Sequence, residues 1–137
     1  AGLCAAALVP AHACVRLTDQ IPDVLQGLEH NVDLNREQLQ GQVRVEHLDW
    51  KEALESEHEL EAVDLLLGTE LIWMDSHGEL LGRLARRLLA PWGRLLLANT
   101  AERQGLEAFE RTLQADPFTV DKAEVMVDGV ACVVCTC

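Results

Sequence analysis

Apolar positions along this chain follow two rhythms, one of three and four residues and one of two, and the two alternate from end to end. Residues 3–9 read as a short helix and residues 14–18 as a strand closing at Asp19. Pro22 then stands where a helix begins. Ile21, Leu25, Leu28, Val32, Asn35 and Leu39 recur at helical spacing, which predicts a helix of about five turns, ended by Gly41. Residues 43–48 alternate and make the next strand. Segment 51–61 carries Glu52, Glu55, Glu57, Glu59 and Glu61 and reads as a solvated helix or loop.

Ala62 to Leu67 is an apolar run interrupted by Asp64, the pattern of a parallel strand buried on both faces. Ser76-His77-Gly78-Glu79 has the spacing of a capping box. It would open a helix burying Leu80, Leu81, Leu84 and Leu88. Pro91-Trp92-Gly93 is expected to stop that helix and start a strand over 94–98. Leu106, Phe109 and Leu113 mark a further helix. Two final runs, 118–127 and 130–136, flank Asp128-Gly129, a strong hairpin signal. Alternating units with short connections imply an α/β fold: a mostly parallel sheet, helices on both faces, and a C-terminal antiparallel hairpin.

The composition fits one folded domain over 1–137, with 49% apolar and 25% charged residues. The net charge of −12, from 23 acidic against 11 basic residues, changes the expected partners. It repels phosphate backbones and anionic membranes, so neither nucleic acid nor membrane is expected, and a cationic acceptor would be attracted. No apolar run approaches the ~20 residues of a membrane span, and the Ala-rich opening lacks the basic start of a secretory signal.

Five cysteines, an odd number, fit reduced thiols in the cytosol or nucleus. In the closing Cys-Val-Val-Cys-Thr-Cys run, Cys135 and Cys137 share one strand face and Cys132 takes the other, so no metal site is expected. The five histidines have no ligand spacing either.

In open α/β sheets ligands bind beyond the carboxyl ends of the strands, which selects Asp19, Asp49-Trp50 and Thr69-Glu70. A carboxylate such as Asp19 could accept both hydroxyl groups of an adenosine ribose, or simply form a turn before Pro22. Trp50 could wall an adenine pocket or pack on the sheet. Glu70 could orient an amine or a methionine moiety, with Trp73 lining an acceptor channel, or both could be ordinary loop residues.

These motifs, in this order, resemble the seven-strand class I S-adenosylmethionine-dependent methyltransferases of the protein-lysine branch. The resemblance rests on the acid closing the second strand (Asp19), the paired asparagines Asn31 and Asn35, and Leu48-Asp49-Trp50. It continues through Glu70-Leu71-Ile72-Trp73, where the branch usually has Asp-x-x-Tyr, and the Pro-x-Gly turn 91–93. It covers nearly the whole chain.

The resemblance implies a Rossmann-like fold with S-adenosylmethionine as cofactor and a lysine of a protein as methyl acceptor. Asp19, Trp50 and Thr69 would bind the cofactor, Thr69 through its backbone, and Glu70 and Trp73 would be the catalytic pair shaping the acceptor site. No Gly-x-Gly occurs in the sequence, and Gly2 to Ala6 resembles the helix that follows that loop. The chain is therefore expected to be a partial domain without its first strand, and to bind the cofactor weakly or not at all. The alternatives are a truncated or non-catalytic module on this fold, a small-molecule methyltransferase and, against the terminal hairpin and Trp50, a nucleotide-binding oxidoreductase.

Overall fold

The computed structural model describes residues 1–114, 119–128 and 130–136. The chain forms two compact units, Ala1–Glu52 and Ala53–Cys137.

In the first unit, α1 (Gly2–Leu8) leads into β1 (Cys14–Asp19), α2 (Pro22–Asn35), a single 3-10 turn and β2 (Gln42–His47). β1 and β2 pair in parallel, from Cys14 beside Gln42 to Asp19 beside His47. Parallel strands need a crossover, and α2 supplies it. Pro22 occupies its first turn, where the missing N–H costs nothing, and Asp23 complements the helix dipole there. The predicted stripe of Leu25, Leu28, Val32 and Asn35 is half-buried, with Leu39 beyond it, while Ile21 remains 50% exposed. The α-helix ends at Asn35, before Gly41, and Arg36–Gln38 continue as the 3-10 turn. Gly41 has another use. Its N–H and that of Gln40 both donate to the Ala6 carbonyl, and a Cβ at Gly41 would stand 2.7 Å from Val9 Cγ2.

α3 (Trp50–Glu55) starts after Asp49, whose Oδ1 accepts the N–H groups of Lys51 and Glu52. All five glutamates of the acidic stretch are exposed, as a solvated segment requires.

The second unit holds β3 (Val63–Thr69), α4 (Asp75–Leu88), β4 (Leu89–Thr100), α5 (Leu106–Leu113), β5 (Asp121–Val127) and β6 (Val130–Thr136). Its sheet runs β3-β4-β6-β5, with β3 and β4 parallel and β6 antiparallel to both neighbours. The C-terminal hairpin is the expected one: Val127 faces Val130, and Asp128 takes the left-handed conformation (φ 48°) that a two-residue link demands. Gly129, the Phe118 that opens the first of the two final runs, Cys137 and the side chain of Cys135 lie outside the described residues. Among the described residues no group of three metal-ligating side chains occurs, and no helix is long and apolar enough to cross a membrane.

The core gathers where α4 meets α5. Leu81, Leu84, Ala85 and Leu88 are buried, as are Leu106, Phe109 and Leu113. Arg87 fastens the entry to this unit, donating to the carbonyls of Ala53, Leu54, Ser56 and His58.

Three local expectations need correction. The Ser76–Glu79 capping box does not form: α4 starts at Asp75, and no side chain caps it. Packing sets the start instead, because a Cβ at Gly78 would lie 2.1 Å from the Gly105 carbonyl oxygen. Pro91-Trp92-Gly93 does not separate a helix from a strand, since β4 already runs from Leu89. The motif lies in a bulge, between the pairings Val63–Leu89 and Leu65–Arg94. Finally, β3 is not buried on both faces. Leu95, Leu97 and Asn99 of β4 are buried, whereas Leu65 and Leu96 are 49% and 41% exposed, the alternation of a sheet covered on one face.

Candidate functional site

β3 ends at Thr69, which is exposed and pairs with Ala98. The chain then turns sharply at Glu70, a non-glycine residue with φ 55°. Such a conformation costs about 1 kcal/mol and persists only where the surroundings hold it. Three neighbours on β4 do so. The Glu70 N–H donates to the Ala98 carbonyl (2.8 Å). Buried Asn99 accepts the N–H groups of Leu71 and Ile72 on Oδ1 and donates from Nδ2 to the Ile72 carbonyl (2.8 Å). Thr100 binds the Glu70 carboxylate directly: its N–H and its hydroxyl reach Oε1 at 2.5 and 2.7 Å.

The second carboxylate oxygen receives Arg103 Nε at 3.2 Å. The same guanidinium stands 5.3 Å from the centre of the Trp73 ring, and the Trp73 indole N–H donates to the Glu70 carbonyl (2.6 Å). Glu70, Thr100, Arg103 and Trp73 thus close a ring of contacts at the carboxyl ends of β3 and β4.

The Thr100 hydroxyl above all, then its N–H and Arg103, hold the Glu70 carboxyl below its ordinary value, against the opposing effect of burial. The group is therefore an anion at neutral pH. A carboxylate has about four acceptor directions, and among the described residues these partners use three, which leaves one on Oε2. Trp73, 58% exposed, offers an aromatic wall whose edge and face are both held.

In the first unit, Asp19 closes β1 and Trp50 follows the carboxyl end of β2. Asp19 Oδ1 accepts the Ile21 N–H (2.9 Å), so the turn-forming reading of this residue holds, and Oδ2 lies outside that turn. Trp50 is half-buried as the first residue of α3. A shallow cleft of about 320 Å³ between α2 and β2 is lined by Glu29, Val32, Asp33, Arg36, Val43 and Val45, with no candidate residue among them.

Asn99, Thr100 and Arg103 were not anticipated. The one signal for them was the polar pair Asn99-Thr100 at the end of an apolar strand, where a buried amide needs a reason.

No curated protein matches this chain. Solved structures share its fold at low identity. A Klebsiella pneumoniae protein classed as an O-methyltransferase aligns with TM-score 0.69 and 19% identity, over 93% of this chain and 62% of its own. A Pyrococcus horikoshii protein, PH0226, aligns with TM-score 0.64 and 13% identity, over 89% and 69%. An arsenic(III) S-adenosylmethionine methyltransferase of Chlamydomonas reinhardtii gives TM-score 0.64 and 16% identity, over 96% and 56%. The chain thus spans less than two thirds of two of these three proteins. A family model described as lysine methyltransferase matches residues 1–116. The chain belongs to the lysine methyltransferase family.

Proposed function

We propose that the protein transfers a methyl group from S-adenosylmethionine to lysine side chains of a protein substrate. The observation that carries this reading is the ionised Glu70 carboxylate with one acceptor direction left, beside the fixed indole of Trp73. The cofactor supplies an electrophilic methyl group and needs no metal partner. The chain has residues suited to the adenosine half: Asp19 Oδ2 for the ribose hydroxyl groups and the half-buried Trp50 for adenine. Thr69 serves the cofactor through its backbone.

Displacement at a methyl carbon requires the amine lone pair to be aimed at it, so orientation supplies much of the acceleration. Glu70 Oε2 accepts one N–H of the acceptor amine and fixes its direction. Because its carboxyl is held below its ordinary value, it orients the amine and leaves the proton to solvent. Trp73 flanks the acceptor's methylene stem and keeps water from that side. The net charge of −12 draws a lysine-bearing substrate toward the protein.

The test is tritium transfer from millimolar S-adenosylmethionine to poly-L-lysine. Glu70→Ala lowers turnover at least about tenfold, which corresponds to ~1.4 kcal/mol in the barrier. Unchanged turnover removes Glu70 from the mechanism.

The reading also requires the chain to bind S-adenosylmethionine, which calorimetry measures directly; no heat of binding at millimolar cofactor would remove it.

A further inference from the structure

We propose that Arg103 is a positioning residue of the acceptor site, a clamp that fixes the Glu70 carboxylate and the Trp73 ring in one arrangement. The inference rests on the lysine-transfer reading and adds to it a residue from a different strand end.

A guanidinium is planar and can bond along its edge while stacking on its face, which an ammonium cannot do. Arg103 uses both. Nε donates to Glu70 Oε2 at 3.2 Å, and the group lies 5.3 Å from the Trp73 ring centre. The Arg103 backbone N–H donates to the Thr100 carbonyl (3.1 Å), so the clamp is tied to the end of β4. The Arg103 and Glu70 side chains are 43% and 42% exposed, and Trp73 is 58% exposed. Little of this arrangement is enforced by core packing. An exposed tryptophan would otherwise sample several rotamers, and each departure would remove the wall beside the amine. The Arg103 contact on the ring face joins the bond from the indole N–H to the Glu70 carbonyl, so face and edge together select one rotamer of Trp73.

The left-handed conformation that the β4 neighbours hold at Glu70 is also what makes the clamp possible. That conformation turns the Glu70 carbonyl to the indole N–H while the side chain reaches Thr100 and Arg103.

Indole proton exchange in the full chain, followed by 15N NMR with the Trp73 peak assigned through Trp73→Phe, reads the clamp directly. Arg103→Ala is expected to speed exchange at Trp73 about two- to fivefold, the weight of an exposed cation–π contact, with Trp50 and Trp92 unchanged. Arg103→Lys, which keeps the charge without the planar edge, falls between the two. Arg103→Gln carries the same comparison if the alanine variant does not fold. With poly-L-lysine as acceptor, Arg103→Ala lowers kcat and leaves the KM for S-adenosylmethionine unchanged. Exchange at Trp73 equal to the parent's, or an unchanged kcat, overturns the proposal. A parent that transfers no methyl group to poly-L-lysine refutes the lysine reading instead, and the Trp73 exchange then decides the clamp on its own.

Discussion

Glu70 joins a left-handed backbone, an ionised carboxylate and an exposed aromatic partner, and each is tolerable because the others are present. Its pH dependence follows from the sign of the shift. A carboxyl depressed on folding stabilises the native state above its unfolded value, near 4.5, and the contribution is lost as pH falls through the lower folded value. Glu70→Gln should therefore be less stable than the parent at pH 7, and the gap should close below pH 4.5 in urea titrations. Solvent exposure keeps the effect small. Asn99→Ala is the larger lesion, because it orphans the buried N–H and carbonyl of Ile72 and the half-buried N–H of Leu71. A loss of about 2–3 kcal/mol is expected, read as a lower urea midpoint at unchanged m-value. The candidates Asp19, Trp50, Thr69, Glu70 and Trp73 were legible as strand-end residues. Their supports Asn99, Thr100 and Arg103 were not, because they act across 27 to 33 residues, beyond any local pattern.

Among the elements, those with a clean period were readable. α5 and the hairpin fall where spacing and turn chemistry put them, and α2 and α4 lie on the predicted stripes, although α2 stops at Asn35, short of Gly41. Reading failed where tertiary packing overrode a local motif. Ser76 has the right neighbours for a cap, yet α4 is positioned by the contact of Gly78 with the backbone of Gly105 and Phe109. Gly82 similarly faces Thr112, where a Cβ would approach to 2.8 Å. Gly78→Ala should push α4 away from α5 and cost about 1–3 kcal/mol, the range of overpacked cores, despite alanine's better helix propensity. A variant as stable as the parent in thermal melts would show that the helix pair has slack. β3 misled for a related reason: an apolar run reports the capacity for burial, and the one-sided cover leaves Leu65 half exposed.

On the scale of the whole molecule, the alternating βα pattern and the terminal hairpin agree with the family of the chain, and the acidic charge would attract a cationic acceptor. That attraction is screened by salt, so the KM for a polycationic acceptor rises with ionic strength. The fold alone does not choose an acceptor, since its structural relatives include proteins described as acting on oxygen and on arsenic. The choice rests on the anionic Glu70 beside Trp73. The most direct measurement offers the chain tritiated S-adenosylmethionine at millimolar concentration with poly-L-lysine and, separately, with a catechol. Label on poly-L-lysine, reduced at least about tenfold by Glu70→Ala and absent from the catechol, is the result expected. Label on the catechol alone, or on poly-L-lysine at the same rate in the Glu70→Ala variant, would contradict it.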